Sequence, residues 1–131
     1  MKVLHLVGRV IVAVYLLFNG LNHFIRLDML TGYAASKGVP VPTLAVIISG
    51  LLLLLAGLSI GFGYKPKIGI LAPALFFIPV TLMMHNFWAV SDPAAKSLEF
   101  VNFSKNFGLL GFSLMLLAIP EPWPFGLGKG S

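Results

Sequence analysis

The chain has no cysteine, which excludes disulfides, thiolate metal sites and thiol redox chemistry. Any redox role must therefore be borrowed from a cofactor, a substrate or a partner subunit. Charge is also scarce, at 10% of 131 residues against about 25% in an ordinary soluble domain. The net charge is +5, but no stretch forms a dense basic run, so the composition argues against nucleic-acid binding. No phosphate-cradling Gly-Lys loop, nucleophile elbow or His-Glu-x-x-His pattern occurs. Low-complexity segments and repeats of useful length are absent as well.

Apolar residues fill the space that charge leaves. They make up 58% of the chain, and the mean hydropathy is +0.96. A single domain this short cannot hide such an excess inside a water-soluble fold, because small domains leave much of their surface exposed. Lipid is the solvent that resolves the mismatch.

A bilayer-crossing helix needs about 20 mostly apolar residues. Four windows meet that length: residues 4–25, 44–62, 68–88 and 100–119. Runs such as Val10 to Phe18 do not alternate as barrel strands would. The expected fold is all-α, a transmembrane four-helix bundle forming one domain over residues 1–131. The first window is expected to be a retained helix and not a cleaved signal. It exceeds the usual apolar run of about 7–15 residues, contains Arg9 and ends in Asn19, Asn22 and His23.

In the first connection, Asp28 is an expected N-cap, Gly38 an expected helix stop, and Pro40 and Pro42 bar continuation. Leu30, Tyr33 and Ala34 then share one face of a short helix that lies on the membrane surface or tucks back against the bundle. Ser91-Asp92-Pro93 reads as a turn. Pro73 and Pro79 imply kinked packing in the third span, or a ligand-lined gap. Gly57 and Gly61, with Ser49 and Gly50, allow close helix contact within the bundle or between copies, so a homo-oligomer stays open.

With four spans, both termini and the second connection share a side. That side holds Lys2, Arg9, Lys65, Lys67 and Lys129; the other holds Arg26, Lys37, Lys96 and Lys105. The excess places the termini in the cytoplasm.

Three helices deliver polar groups to the opposite face. The first ends in Asn19, Asn22 and His23; the third ends in His85, Asn86 and Trp88; the fourth opens with Glu99, Asn102, Lys105 and Asn106. Each residue alone fits ordinary headgroup contact, with Trp88 in an aromatic belt and Lys105 snorkelling. Together they mark a candidate ligand site of Asn19, His23, His85, Asn86, Trp88, Lys105 and Asn106. Ionisable residues at depth are costly unless paired or used. His23 and His85 suit proton transfer, while Glu99 and Lys105 would orient or compensate charge. No catalytic residue is assigned, and two histidines alone are a thin basis for a metal or haem site. On the terminal side Arg9 is expected to pair with Glu121, the acid just past the fourth span.

Several segments then suggest a family. They are Gly8-Arg9, Phe18-Asn19-Gly20-Leu21-Asn22-His23, Gly38-Val39-Pro40-Val41-Pro42, the Gly50 to Gly57 stretch, His85-Asn86-Phe87-Trp88 and Asn102-Phe103-Ser104-Lys105-Asn106-Phe107. In order and spacing the chain resembles the DoxX family of small four-helix membrane proteins over nearly its whole length. The resemblance implies a link to membrane oxidoreductase systems, including a quinone-reducing thiosulfate oxidation complex, and a bacterial inner-membrane location. It points to His85-Asn86 and Lys105-Asn106 as shared polar motifs. Distant relatives are associated with protein assembly or cargo handling. The expectation is a redox-linked subunit with no intrinsic cofactor, binding a quinone or similar molecule beside a partner subunit. A non-enzymatic scaffold is the alternative, and small-solute transport a third reading.

Overall fold

A computed structural model describes residues 1–128. Lys129, counted above for orientation, lies outside them. The described chain is helical: α1 (Lys2–Ile25), α2 (Leu27–Ser36), α3 (Pro42–Phe62), α4 (Pro66–Met84) and α5 (Pro93–Leu117), with a short 3-10 turn at Phe87–Ala89. Four of these helices are long and apolar enough to span a bilayer, the third span running on from α4 to Ala89, whereas α2 is not. The all-α transmembrane bundle is therefore the observed fold.

The boundaries follow local chemistry. Proline stands at the start of α3, α4 and α5, where its missing N–H would have no helical partner in any case. Gly38 and Gly63 stop α2 and α3 with positive φ of 77° and 63°. In each case the glycine N–H and the next N–H turn back onto the last carbonyls of the helix, as such stops require.

Three expectations are corrected. Helix α2 starts at Leu27, with Asp28 inside its first turn and no side-chain cap; a carboxylate there still faces the positive helix end. Helix α4 ends at Met84, before the expected limit at Trp88. Helix α5 begins seven residues before Phe100 because Asp92 caps it, accepting from the Ala95 N–H at 2.9 Å. Read as a turn in the sequence, Ser91-Asp92-Pro93 is a helix start.

Helix α1 packs on α3, α3 on α4, and α4 on α5. The small residues of α3 serve the first of these contacts. A Cβ at Gly57 would lie 2.8 Å from Leu17 Cγ and 3.2 Å from the Ala13 carbonyl oxygen, so α1 nearly touches the α3 backbone. The expected close contact thus lies inside the bundle. Helix α4 runs through Pro73 and Pro79 without interruption.

Ile60, Ile70, Leu116 and Trp123 form the tight apolar core, which sits at the terminal end. The segment after α5 folds back there. Leu127 N–H donates to Phe62 O at 2.8 Å, and Trp123 is 3% exposed. Large side chains such as Ile11, Phe18, Leu55, Leu75 and Met115 point outward, as lipid-facing surfaces do.

Candidate functional site

Helices α1 and α5 are the two ends of the packed row. They scarcely pack on one another, although both line a cavity of about 390 Å³. Its far end is closed by Ile60 and Ile70, which belong to the core beneath Trp123. Leu30, Tyr33 and Ala34 of α2 line its near end, so the short helix tucks back over the bundle with the expected face inward. Tyr15, Lys105 and Phe107 line the cavity and are exposed as well, which puts its side opening at the seam between α1 and α5.

The sequence-derived site residues divide into two groups. Asn19, His23, His85, Lys105 and Asn106 line the cavity, joined by Asn22 and Asn102. Asn86 and Trp88 do not. Trp88 is 54% exposed and meets Phe87 and Phe103 edge-on. The helix stops at Met84, and the 3-10 turn carries Trp88 out to the membrane face.

Asn86 belongs to a second cluster that fastens α2 to the ends of α4 and α5. At its centre is Glu99, 7% exposed. One carboxylate oxygen accepts from His85 Nδ1 at 2.8 Å. The other accepts from the Tyr33 hydroxyl and lies 3.9 Å from Lys37 Nζ. Lys37 also donates to Asn86 Oδ1 at 3.1 Å, and the Tyr33 hydroxyl reaches Met84 O at 3.3 Å. Burial, followed by the hydrogen bond and negative charge of Glu99, pushes the Tyr33 phenol above its ordinary pKa.

His85 joins the two groups. A carboxylate at Nδ1 holds the ring proton there, which leaves Nε2 as the nitrogen open to the cavity. On α1, His23 Nδ1 sits 2.7 Å from Asn19 O, and Asn19 Nδ2 donates to Tyr15 O at 2.8 Å. Asn106 Nδ2 donates to Thr81 Oγ1 at 3.2 Å, tying α5 to α4. The arrangement offers hydrogen bonds and charge at one end of an otherwise apolar slot, the form of a site for an amphipathic molecule. Among the described residues no group of three His, Asp or Glu side chains is placed to hold a metal ion.

Tyr33 and Lys37 were missed as site residues. Their spacing of four on a short helix was the available signal, but Lys37 had been counted only as a loop charge. A second groove of about 430 Å³, between the outer faces of α3 and α4, is almost wholly apolar and offers no chemistry of this kind.

At the terminal end Arg9 is 2% exposed, and the expected pair with Glu121 does not form. The ion pairs among the described residues involve Glu99 alone. The guanidinium donates instead to Ile60 O at 3.1 Å, Gly61 O at 3.0 Å and the Pro124 carbonyl. The last turn of α3 leaves its carbonyls without helical partners, and a five-donor guanidinium satisfies several at once. Trp123 lies 5.7 Å beneath it in cation–π contact.

The family model for DoxX matches residues 4–86. Over 127 residues the chain is 27% identical to the inner membrane protein YphA of Escherichia coli (strain K12), covering 97% of this chain and 89% of that protein. No solved structure matches the chain.

Proposed function

The chain belongs to the DoxX family, and from that premise we propose that it is the membrane subunit of an oxidoreductase system, holding a quinone or similar small molecule in its cavity. One observation carries this reading. The slot lined by five helices has ring-nitrogen, amide and ammonium groups toward one end and mostly apolar walls elsewhere. Lys105 would donate to a carbonyl oxygen of a ring ligand, and the Nε2 atoms of His23 and His85 would accept from the hydroxyls of its reduced form, while its body lay against Leu53, Phe77 and Leu110. Electron transfer would fall to a partner subunit, consistent with a chain that lacks thiols. The likeness to an inner membrane protein supports a bacterial inner-membrane location, and the Lys and Arg distribution supports cytoplasmic termini.

Solvent extraction of protein purified in mild detergent, followed by titration with a short-chain quinone, tests the ligand. Retained quinone, or saturable binding lost in Ala74→Phe, which fills the slot from α4, is the expected result. Protein that retains none and binds none sinks the reading.

The scaffold alternative rests on the Glu99 cluster, whose members mostly satisfy one another. In that case substitutions at His85 and Asn86 would lower stability and partner recovery without changing any small-molecule binding.

A further inference from the structure

Lys105 is the middle residue of the 25-residue helix α5. At 1.5 Å per residue it lies about 18 Å from either end of the helix and about 9 Å beyond Glu99, within the span. The helix start at Pro93 puts seven more residues between it and the helix end than a span from Phe100 does. A charged side chain inside a span is costly unless it faces a cavity or a counter-charge.

Lys105 has the cavity but no counter-charge. The chain contains four acids, and each is engaged or remote. Glu99 is held by Tyr33, His85 and Lys37. It also precedes Lys105 by six residues, which turns it to a face about 120° away. Asp92 caps α5, Asp28 opens α2 at the membrane face, and Glu121 lies beyond the opposite end of α5. No Asp or Glu lines the cavity among the described residues. The other polar side chains that line it, among them Asn19, Asn22, His23, His85, Asn102 and Asn106, carry no negative charge.

We propose that the cavity binds its ligand as an anion: an apolar ring or single chain bearing one negatively charged oxygen, seated on Lys105. This rests on the reading of the cavity as a ligand site and specifies the charge of the occupant. A slot of about 390 Å³ is at the lower end of the range of about 300–1,000 Å³ for sites of drug-sized ligands. It takes one ring or one chain, not a two-chain phospholipid.

The test uses matched acid and neutral probes, with protein in nanodiscs of phosphatidylcholine. The ring pair is the acidic hydroxynaphthoquinone lawsone and its methyl ether; the chain pair is palmitate and methyl palmitate. Affinity is read from the rise of the melting transition with ligand, which also reports that each variant is folded. The acid of at least one pair is expected to bind about tenfold tighter than its neutral partner, the change one charge-assisted hydrogen bond supplies. Lys105→Arg should keep that preference and Lys105→Gln should abolish it. The pair that responds identifies the occupant as ring or chain. Equal binding of acid and neutral forms, or a preference that survives in Lys105→Gln, overturns the inference and leaves the cavity a ligand site. Failure of all four probes to bind removes both.

Discussion

The Tyr33 hydroxyl donates to the carboxylate of Glu99, 66 positions along the chain, and this bond fastens α2 to a helix on which it otherwise scarcely packs. Removing the hydroxyl should loosen α2 without unfolding the bundle. In Tyr33→Phe, amide exchange across Leu27–Ser36 is expected to speed by about tenfold, since a hydrogen bond to a charged group contributes about 1.5–3 kcal/mol. Exchange within α1 and α3 should stay unchanged. A uniform acceleration would mean that Tyr33 supports the whole fold.

The same bond has a pH signature. The Tyr33 pKa is raised in the folded protein, so at alkaline pH the unfolded chain releases a proton that the folded one keeps. The contribution of Tyr33 is fully present below about pH 10, the ordinary tyrosine value, and is lost as pH rises further. Denaturation measured from pH 8 to 11 should show a steeper alkaline loss in the wild type than in Tyr33→Phe. Parallel curves would count against this coupling.

Glu99 should behave as the hub of its cluster. Glu99→Gln weakens the contacts to Tyr33, His85 and Lys37 together, so it should destabilise more than either Tyr33→Phe or Lys37→Met. The double variant Tyr33→Phe/Glu99→Gln should fall short of the sum by about 0.5–3 kcal/mol, the range for residues sharing a network. Strict additivity would show that the contacts are independent.

At the other end, Arg9→Met removes the side-chain donor from the Gly61 and Pro124 carbonyls and leaves Ile60 O with the Gly63 N–H alone. It should lower stability by about 1.5–3 kcal/mol or more and expose the segment after Leu117 to limited proteolysis. Glu121→Gln should change stability by less than about 0.5 kcal/mol, as for an unpaired surface group. A large effect there would restore the ion pair that the structure replaces with backbone bonds.

Two glycine substitutions separate packing from helix propensity. Gly57→Val would drive methyl groups into Leu17 and Ala13, at about 1–3 kcal/mol for overpacking. Gly108 has no neighbour within 4 Å of an added Cβ, so Gly108→Ala should be neutral or stabilise by up to about 1 kcal/mol. Thermal melting of both variants in one detergent is a sufficient comparison.

The spans, the short α2 and the polar face were legible because length, hydropathy and helical spacing act locally. The start of α5 was not, because Asp92-Pro93 belongs equally to a turn and to a capped helix, and the exposed first turns up to Leu98 carry no apolar run that marks them as part of a span. The role of Lys37 was hidden for a related reason: its partner Asn86 is 49 positions away, and no local pattern encodes that pairing. Arg9 was expected to seek a carboxylate, yet two carbonyls at the end of α3 and that of Pro124 offered three acceptors without a second desolvated charge. Family resemblance singled out His85-Asn86 as one motif, whereas the fold gives His85 to both cavity and cluster and Asn86 to the cluster alone.

The seam between α1 and α5 opens toward hydrocarbon, and this changes the reference state for anything that enters there. A molecule already dissolved in the bilayer has left water behind, so apolar walls add little to its transfer into the protein. Discrimination then falls to the few groups at the near end, and occupancy follows the molecule's mole fraction in the membrane and not its aqueous concentration. Affinities for this cavity are meaningful only when the lipid-to-protein ratio is stated.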